Sequence, residues 1–184
     1  MATHGIDFVA KTFQLSDGSV VNCLIYDTCG QEKYFSINES YYKKADAVLV
    51  VYDISQKDSF EKIKEYYCEN IKIFCKKNVP ILLLGNKTDR EAFREVPTEK
   101  GIELAQKENY KFKETSCLKN ENVADAFEAL IEMWNMENIK QLNDSNDKNN
   151  ENNQDKDSEG KNKGHSSSLT LKNKKKEKKK SECC

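Results

Sequence analysis

The sequence predicts an α/β fold, an open and mostly parallel sheet covered by helices. Three observations carry this prediction. Residues 47–52 and 79–84 are short, unbroken apolar runs, the pattern of strands buried on both faces beneath helices. The segments between and after them repeat apolar residues at three- and four-residue spacing, as amphipathic helices do. The resulting order, β-β-β-α-β-α-β-α, is that of an α/β open sheet. Ligands of such sheets lie outside the carboxyl ends of the parallel strands.

Each element has a local reason. Residues 6–15 partly alternate apolar and polar side chains, Ser16-Asp17-Gly18-Ser19 is turn chemistry, and residues 20–26 form a second β run. Together they predict an antiparallel hairpin. In residues 59–75, Phe60, Ile63, Tyr67, Ile71 and Phe74 make one helical stripe. Pro97 precedes another helix, for which Thr98 is a suitable N-cap. Residues 110–113 read as a short strand, and Val123, Phe127, Leu130, Ile131 and Trp134 as a last stripe.

Composition divides the 184 residues in two. Residues 1–140 hold 19 Lys/Arg against 23 Asp/Glu, whereas residues 141–184 hold 11 against 8. The overall net charge of −1 argues against a globally basic nucleic-acid binder. Residues 143–163 contain no aliphatic or aromatic side chain. Such a stretch cannot offset an ordering entropy of about 1–2 kcal/mol per residue, so disorder is expected there. The organisation predicted is one domain over residues 1–140 and a tail over 141–184. No apolar run approaches the roughly 20 residues that span a bilayer, and Met1 to Phe8 lack a signal-peptide core, so a cytosolic address is expected. Seven cysteines without metal-site spacing agree with it. Cys23, Cys29, Cys68, Cys75 and Cys117 read as small buried hydrophobes. Cys183 and Cys184 stand apart from these.

Three motifs fall at strand ends. Asp27-Thr28-Cys29-Gly30-Gln31 follows the second β run. An Asp there can hold Mg²⁺ through water, a Gly lets a backbone N–H approach a phosphate, and a Gln can orient water. Standing alone, the same residues also fit an ordinary acidic turn. Asn86-Lys87-Thr88-Asp89 follows the run at 79–84. An Asp carboxylate can accept both N–H groups of a guanine edge, Asn86 can brace the loop, and the Lys87 stem can lie over the base. The third motif, Thr115-Ser116-Cys117, offers turn N–H groups to the guanine carbonyl.

With these motifs in order, residues 3 to about 138 resemble the small GTPases of the Ras superfamily and, within them, the Rab family. Thr3-His4-Gly5-Ile6-Asp7-Phe8, Glu32-Lys33-Tyr34-Phe35, Tyr41-Tyr42-Lys43-Lys44-Ala45 and Val50-Val51-Tyr52-Asp53-Ile54-Ser55 carry the resemblance. It implies a P-loop-NTPase-like three-layer open sheet and a GTP/GDP switch in vesicle-mediated membrane traffic, with GTP hydrolysis and Mg²⁺. Thr3 and Asp27 would serve the Mg²⁺ site, Gly30 the γ-phosphate and Gln31 the hydrolytic water. Asn86, Lys87, Asp89, Ser116 and Cys117 would select guanine. Phe8, Tyr26 and Tyr41 match an aromatic triad that binds effectors, although ordinary packing explains three aromatics as well. GTPase-activating, exchange and escort proteins would be further partners. Departures include His4 for the usual Ile, Tyr26 for Trp, Cys29 for Ala and Cys117-Leu118 for Ala-Lys.

The pattern G-x-x-x-x-G-K-[ST] does not occur in these residues. Against the related fold, the first strand, phosphate loop and first helix are missing. Activity of the chain as given is therefore expected to be weak, because that loop cradles the phosphates. The missing strand would sit between residues 20–26 and 47–52, leaving two unpaired edges at about 1–3 kcal/mol per unsatisfied backbone group. An unstable or molten chain is the expectation. Arg90 and Arg94, the only arginines, are not placed to reach a γ-phosphate, so an arginine finger would come from a partner.

Lys172 to Lys180 includes seven Lys and one Glu ahead of Cys183 and Cys184. The family carries geranylgeranyl groups on such cysteines. Hydrocarbon burial and lipid attraction of about 1 kcal/mol per Lys would add at a membrane surface. A solvated charge run is the plainer alternative. The implied location is the cytosolic face of intracellular membranes with a cytosolic pool. Three functional readings follow: a Rab-like GTPase whose start lies upstream, a non-hydrolysing pseudo-GTPase that binds effectors or escort proteins, and the unfolded product of a decayed gene. Retention of Gln31 and the whole guanine-selecting set favours the first.

Overall fold

A computed structural model describes residues 6–28, 35–151 and 180–183. The hairpin forms as its turn chemistry dictates: β1 (Ile6–Gln14) pairs antiparallel with β2 (Val20–Thr28), Phe8 opposite Tyr26. Gly18 takes φ +79° in the turn, a conformation open to glycine without Cβ strain. Helix α1 (Phe35–Lys44), which periodicity did not single out, leads to β3 (Val48–Asp53). Helices α2 (Lys57–Lys62) and α3 (Cys68–Phe74) are joined through a π-turn at Ile63–Tyr67, so the stripe at 59–75 is one continuous helical element. Strand β4 (Ile81–Asn86), a 3₁₀ segment (Thr88–Phe93), α4 (Thr98–Glu108) and β5 (Lys111–Thr115) follow.

Strands β3, β4 and β5 form a wholly parallel sheet in that order. Its two faces build two cores. One gathers Val48, Val50, Tyr52 and Leu83 with Phe60, Ile63 and Ile71 of the helical element. The other gathers Leu82 and Leu84 with Phe13 and Val21 of the hairpin and Leu130 and Ile131 of the last helix. Helices thus cover both faces, and the architecture is the expected three-layer α/β arrangement.

Several details differ from the expectation. Thr98 is the first helical residue of α4 and Pro97 holds the cap position; the Thr98 hydroxyl donates instead to Glu114 Oε1 at 3.1 Å. Helix α5 (Val123–Glu151) continues through residues 143–151, where disorder was expected. Extending an existing helix fixes few dihedrals per hydrogen bond gained, so a polar sequence can follow an apolar start. The hairpin and the parallel sheet do not join. Among the described residues β3 pairs only with β4, and the free edge of β2 is taken in parallel by β6 (Lys180–Cys183), Cys23 opposite Ser181 and Ile25 opposite Cys183. Between the two sheets lies a cavity of about 440 Å³, lined by Cys23, Ile25, Tyr41, Val48 and Leu130 among others.

The α4–sheet contact is unusually close. A Cβ at Gly101 would stand 2.5 Å from a Phe112 ring carbon and 2.6 Å from Tyr52 Oη. Gly101→Ala should therefore lower stability by about 1–3 kcal/mol through overpacking, partly offset by roughly 1 kcal/mol of helix propensity. A denaturant midpoint shifted downward with unchanged slope checks this. A midpoint that rises would show that the helix moves away freely.

Candidate functional site

The carboxyl ends of β3, β4 and β5 lie abreast because their register is continuous: Asp53 faces Asn86, and Asn86 faces Thr115. Every residue named for guanine selection sits on this edge or in the turns just beyond it. Asn86 Oδ1 accepts from Thr115 Oγ1 at 3.3 Å and from the Cys117 amide at 3.4 Å, tying the β4 loop to the β5 loop. Ser116 is fully buried, and its hydroxyl donates to Asp89 Oδ1 at 2.5 Å. The same Ser116 Oγ accepts from the Lys119 amide. Asn122 and the backbone pairing of Ser116 with Glu121 brace the far side of the turn.

This network fixes the Asp89 carboxylate through Oδ1, and among the described residues none donates to Oδ2. An anchored carboxylate beside turn amides can take the paired N–H donors of a guanine edge while an amide meets its carbonyl. The residues present fit that ligand. Cys117 is exposed rather than buried, since strand alternation after the buried Thr115 and Ser116 ends at the turn. Cys23 and Cys68 are buried as expected, whereas Cys75 is half-buried, its partial burial pushing the thiol up to about 11, and Cys29 lies outside the described residues.

Lys87 adopts φ +71°, a left-handed conformation that costs a non-glycine residue about 1–2 kcal/mol. Its ammonium reaches back to β3 and donates to Asp53 Oδ2 at 2.5 Å. Asp53 is only 8% exposed. Its Oδ1 accepts from the Ser55 amide at 2.9 Å and the Ser55 hydroxyl at 2.7 Å. Burial alone would raise the Asp53 carboxyl, but the Lys87 and Ser55 hydrogen bonds outweigh it and hold it below the usual carboxylate range. Asp53 received no role from the sequence: its place at the end of an apolar strand marks the sheet edge but not the lysine with which it pairs.

On the hairpin side, Asp27 is exposed near the end of β2. Thr3, Gly30 and Gln31 lie outside the described residues, as does Cys184, while Cys183 belongs to β6. The aromatic triad does assemble. Tyr26 stands 6.1 Å from Phe8 and 4.9 Å from Tyr41 between ring centroids, and Phe8 is 65% exposed.

With that geometry in view, the sequence profile of the Ras family matches residues 1–136. The chain belongs to the Ras family. Its relatives place it on the Rab branch. Ras-related protein RABA4c of Arabidopsis thaliana is 40% identical over 126 residues, covering 68% of this chain and 56% of the relative. Ras-related protein Rab11D of Nicotiana tabacum is 40% identical over 136 residues, 73% of this chain and 60% of the relative. Ras-related protein Rab-11B of Dictyostelium discoideum is 39% identical over 130 residues, 71% and 58% respectively. The chain thus spans somewhat over half the length of these curated relatives. Members of this family are GTP hydrolases that use GTP, GDP and Mg²⁺.

The two arginines of this Rab relative serve the scaffold. Arg94 donates to Glu114 through Nη1 at 2.7 Å and Nη2 at 3.0 Å, to Glu91 through Nε and Nη2, and to the Val96 carbonyl. Arg90 donates to Ser55 Oγ at 3.2 Å. Arg94 is 15% and Glu114 19% exposed, so the pair lies between the surface and buried limits. Arg94→Ala should cost on the order of 2 kcal/mol, much of it from the unpaired Glu114. Thermal unfolding of the single variant and of the Arg94→Ala, Glu114→Gln pair checks the origin. Equal losses in both would remove Glu114 as the cause.

Proposed function

We propose that the chain is part of a Rab-type GTP/GDP switch of vesicle-mediated membrane traffic, with the base-selecting half of its nucleotide site at the carboxyl edge of β3–β4–β5. The observation that carries the proposal is the Asn86–Lys87–Asp89 loop bridged by hydrogen bonds to Thr115, Ser116 and Cys117. In this reading Asp89 accepts the guanine N–H donors, the Cys117 amide, held by a bond of 3.4 Å to Asn86 Oδ1, turns to the carbonyl oxygen, Ser116 holds the turn through its pairing with Glu121, and the Lys87 stem covers a base face. The hydrolysis of GTP known for the family would draw on Thr3 and Asp27 for Mg²⁺, Gly30 for the γ-phosphate and Gln31 for the attacking water. The bound Mg²⁺ would supply charge neutralisation on the phosphates.

Titration calorimetry of the full chain with GDP and ADP tests the base selection. GDP should bind and ADP should not. Asp89→Asn should weaken GDP by about 10–100-fold, the equivalent of one charge-assisted hydrogen-bonding pair at roughly 1.5–3 kcal/mol. The same variant should favour xanthosine diphosphate, because an amide N–H can donate to the xanthine carbonyl where a carboxylate cannot. Undiminished GDP affinity in Asp89→Asn would reject the assignment.

The effector face would be Phe8, Tyr26 and Tyr41, which form one aromatic cluster with Phe8 outward. With Lys180–Cys183 released from β2, the polybasic run and geranylgeranyl groups on Cys183 and Cys184 would hold the tail at the cytosolic face of intracellular membranes. No helix of the described residues is long and apolar enough to cross a membrane. Replacing Cys183 and Cys184 with Ser should move the expressed protein from the membrane pellet to the supernatant. Unchanged pelleting would reject the anchor.

A further inference from the structure

The guanine-selecting loop has a support on the neighbouring strand that none of its motif residues supplies. Lys87 carries a side chain with about 2 kcal/mol of rotamer entropy, and it is partly exposed, with 46% of its side chain in solvent. A lysine in that position would ordinarily sample many conformers. Here both ends are fixed. The backbone is held left-handed and closed by the Arg90 amide donating to the Lys87 carbonyl at 2.8 Å. The ammonium is held by Asp53 Oδ2.

Asp53 is itself immobilised from three directions. Its amide donates to Ser59 Oγ at 3.0 Å, its carbonyl accepts from the Gln56 amide at 3.0 Å, and Ser55 saturates Oδ1. The Arg90 guanidinium lies 4.0 Å from Oδ2 and donates to Ser55 Oγ. The carboxylate therefore presents one oxygen, in one place, to one ammonium. The distance between the two strand ends is then bridged by the Lys87 methylene stem.

We propose that Asp53 is the positioning residue of the base site, acting through Lys87: it holds the lysine stem stretched across the ends of β3 and β4, so that a guanine base meets a surface already in place. The proposal rests on the guanine-nucleotide reading of this site and adds a residue to it. Asp53 touches no base; its effect passes through the ammonium it pins. Preordering of this kind raises affinity by removing the entropy that binding would otherwise spend on the side chain.

The test is a double-mutant cycle on the full chain with GDP as the probe. Asp53→Asn should weaken GDP binding about five- to tenfold, and Asp53→Glu should restore part of the loss. In a Lys87→Met background Asp53→Asn should change nothing further. An equal loss in both backgrounds would overturn the proposal, since a general structural role of Asp53 does not depend on Lys87. A second measurement needs no ligand. Acetylation of the nucleotide-free chain by acetic anhydride, read residue by residue by mass spectrometry, should be several-fold faster at Lys87 in Asp53→Asn, with Lys100 unchanged. An unchanged Lys87 rate overturns the proposal, and acceleration at every lysine does so too, because it reports a loosened fold. Wild-type chain that shows no GDP binding would defeat the nucleotide reading itself, while the acetylation rates still decide whether Asp53 holds Lys87.

Discussion

Backbone register along the β3–β4–β5 ladder decides which side chains meet at its carboxyl edge. Asp53 opposite Asn86 and Asn86 opposite Thr115 put three polar groups in a row where two apolar strands and the more polar β5 stop together. A slip of one residue would exchange each strand's side chains between the two cores, whose packing differs, so the cores hold the row in place. Leu82, Leu83 and Leu84, buried in alternation against opposite helical layers, are thus as much a condition of the site as Asp89. Gly85 belongs to the same constraint. A Cβ there would come within 2.9 Å of Tyr52 Oη, and the β3–β4 spacing at the edge depends on its absence.

The polar row is then converted into a site by bonds between loops rather than along them. Ser116 reaches Asp89 across 27 positions, Asn86 reaches Cys117 across 31 and Lys87 reaches Asp53 across 34. Ser116 is buried and fully engaged, accepting one hydrogen bond and donating another, so Asp89 cannot rotate without leaving that hydroxyl unsatisfied at about 1–3 kcal/mol. Each loop would be an ordinary polar turn by itself. Their mutual bonding fixes the polar groups of the edge relative to one another.

What could be read from the sequence follows the same division between local and distant causes. Buried parallel strands announce themselves as apolar runs, and the helical stripe from Phe60 to Phe74 as a period, because both patterns are set by neighbours along the chain. The Asn86–Asp89 motif was legible because its chemistry is packed into four residues. Asp53 was not, since its partner is 34 residues away and nothing in the periodicity of β3 distinguishes a functional strand-end carboxylate from a solvated one. Thr98 misled for a related reason: a threonine before a helix usually caps it, but here Glu114 on β5 offers the hydroxyl a partner. The pairing of β6 with β2 was equally hidden, because a lysine-, serine- and glutamate-containing segment carries no strand signal of its own. The edge it meets is supplied by the fold.

Selecting a base and stabilising phosphates are separable tasks, and the described residues speak to the first. Base selection needs neutral or singly charged partners at fixed angles, which a sheet edge and two turns can provide from residues 53–122. Phosphate chemistry needs concentrated positive charge and a bound cation. Lys87 is already committed to Asp53, Arg90 to Ser55 beside the same carboxylate, and Arg94 to Glu91 and Glu114. An ammonium neutralised by a buried carboxylate offers a base an apolar stem without also drawing in any passing anion. Under the proposed assignment, the pairing that orders Lys87 would also keep its ammonium from drawing phosphate to this edge.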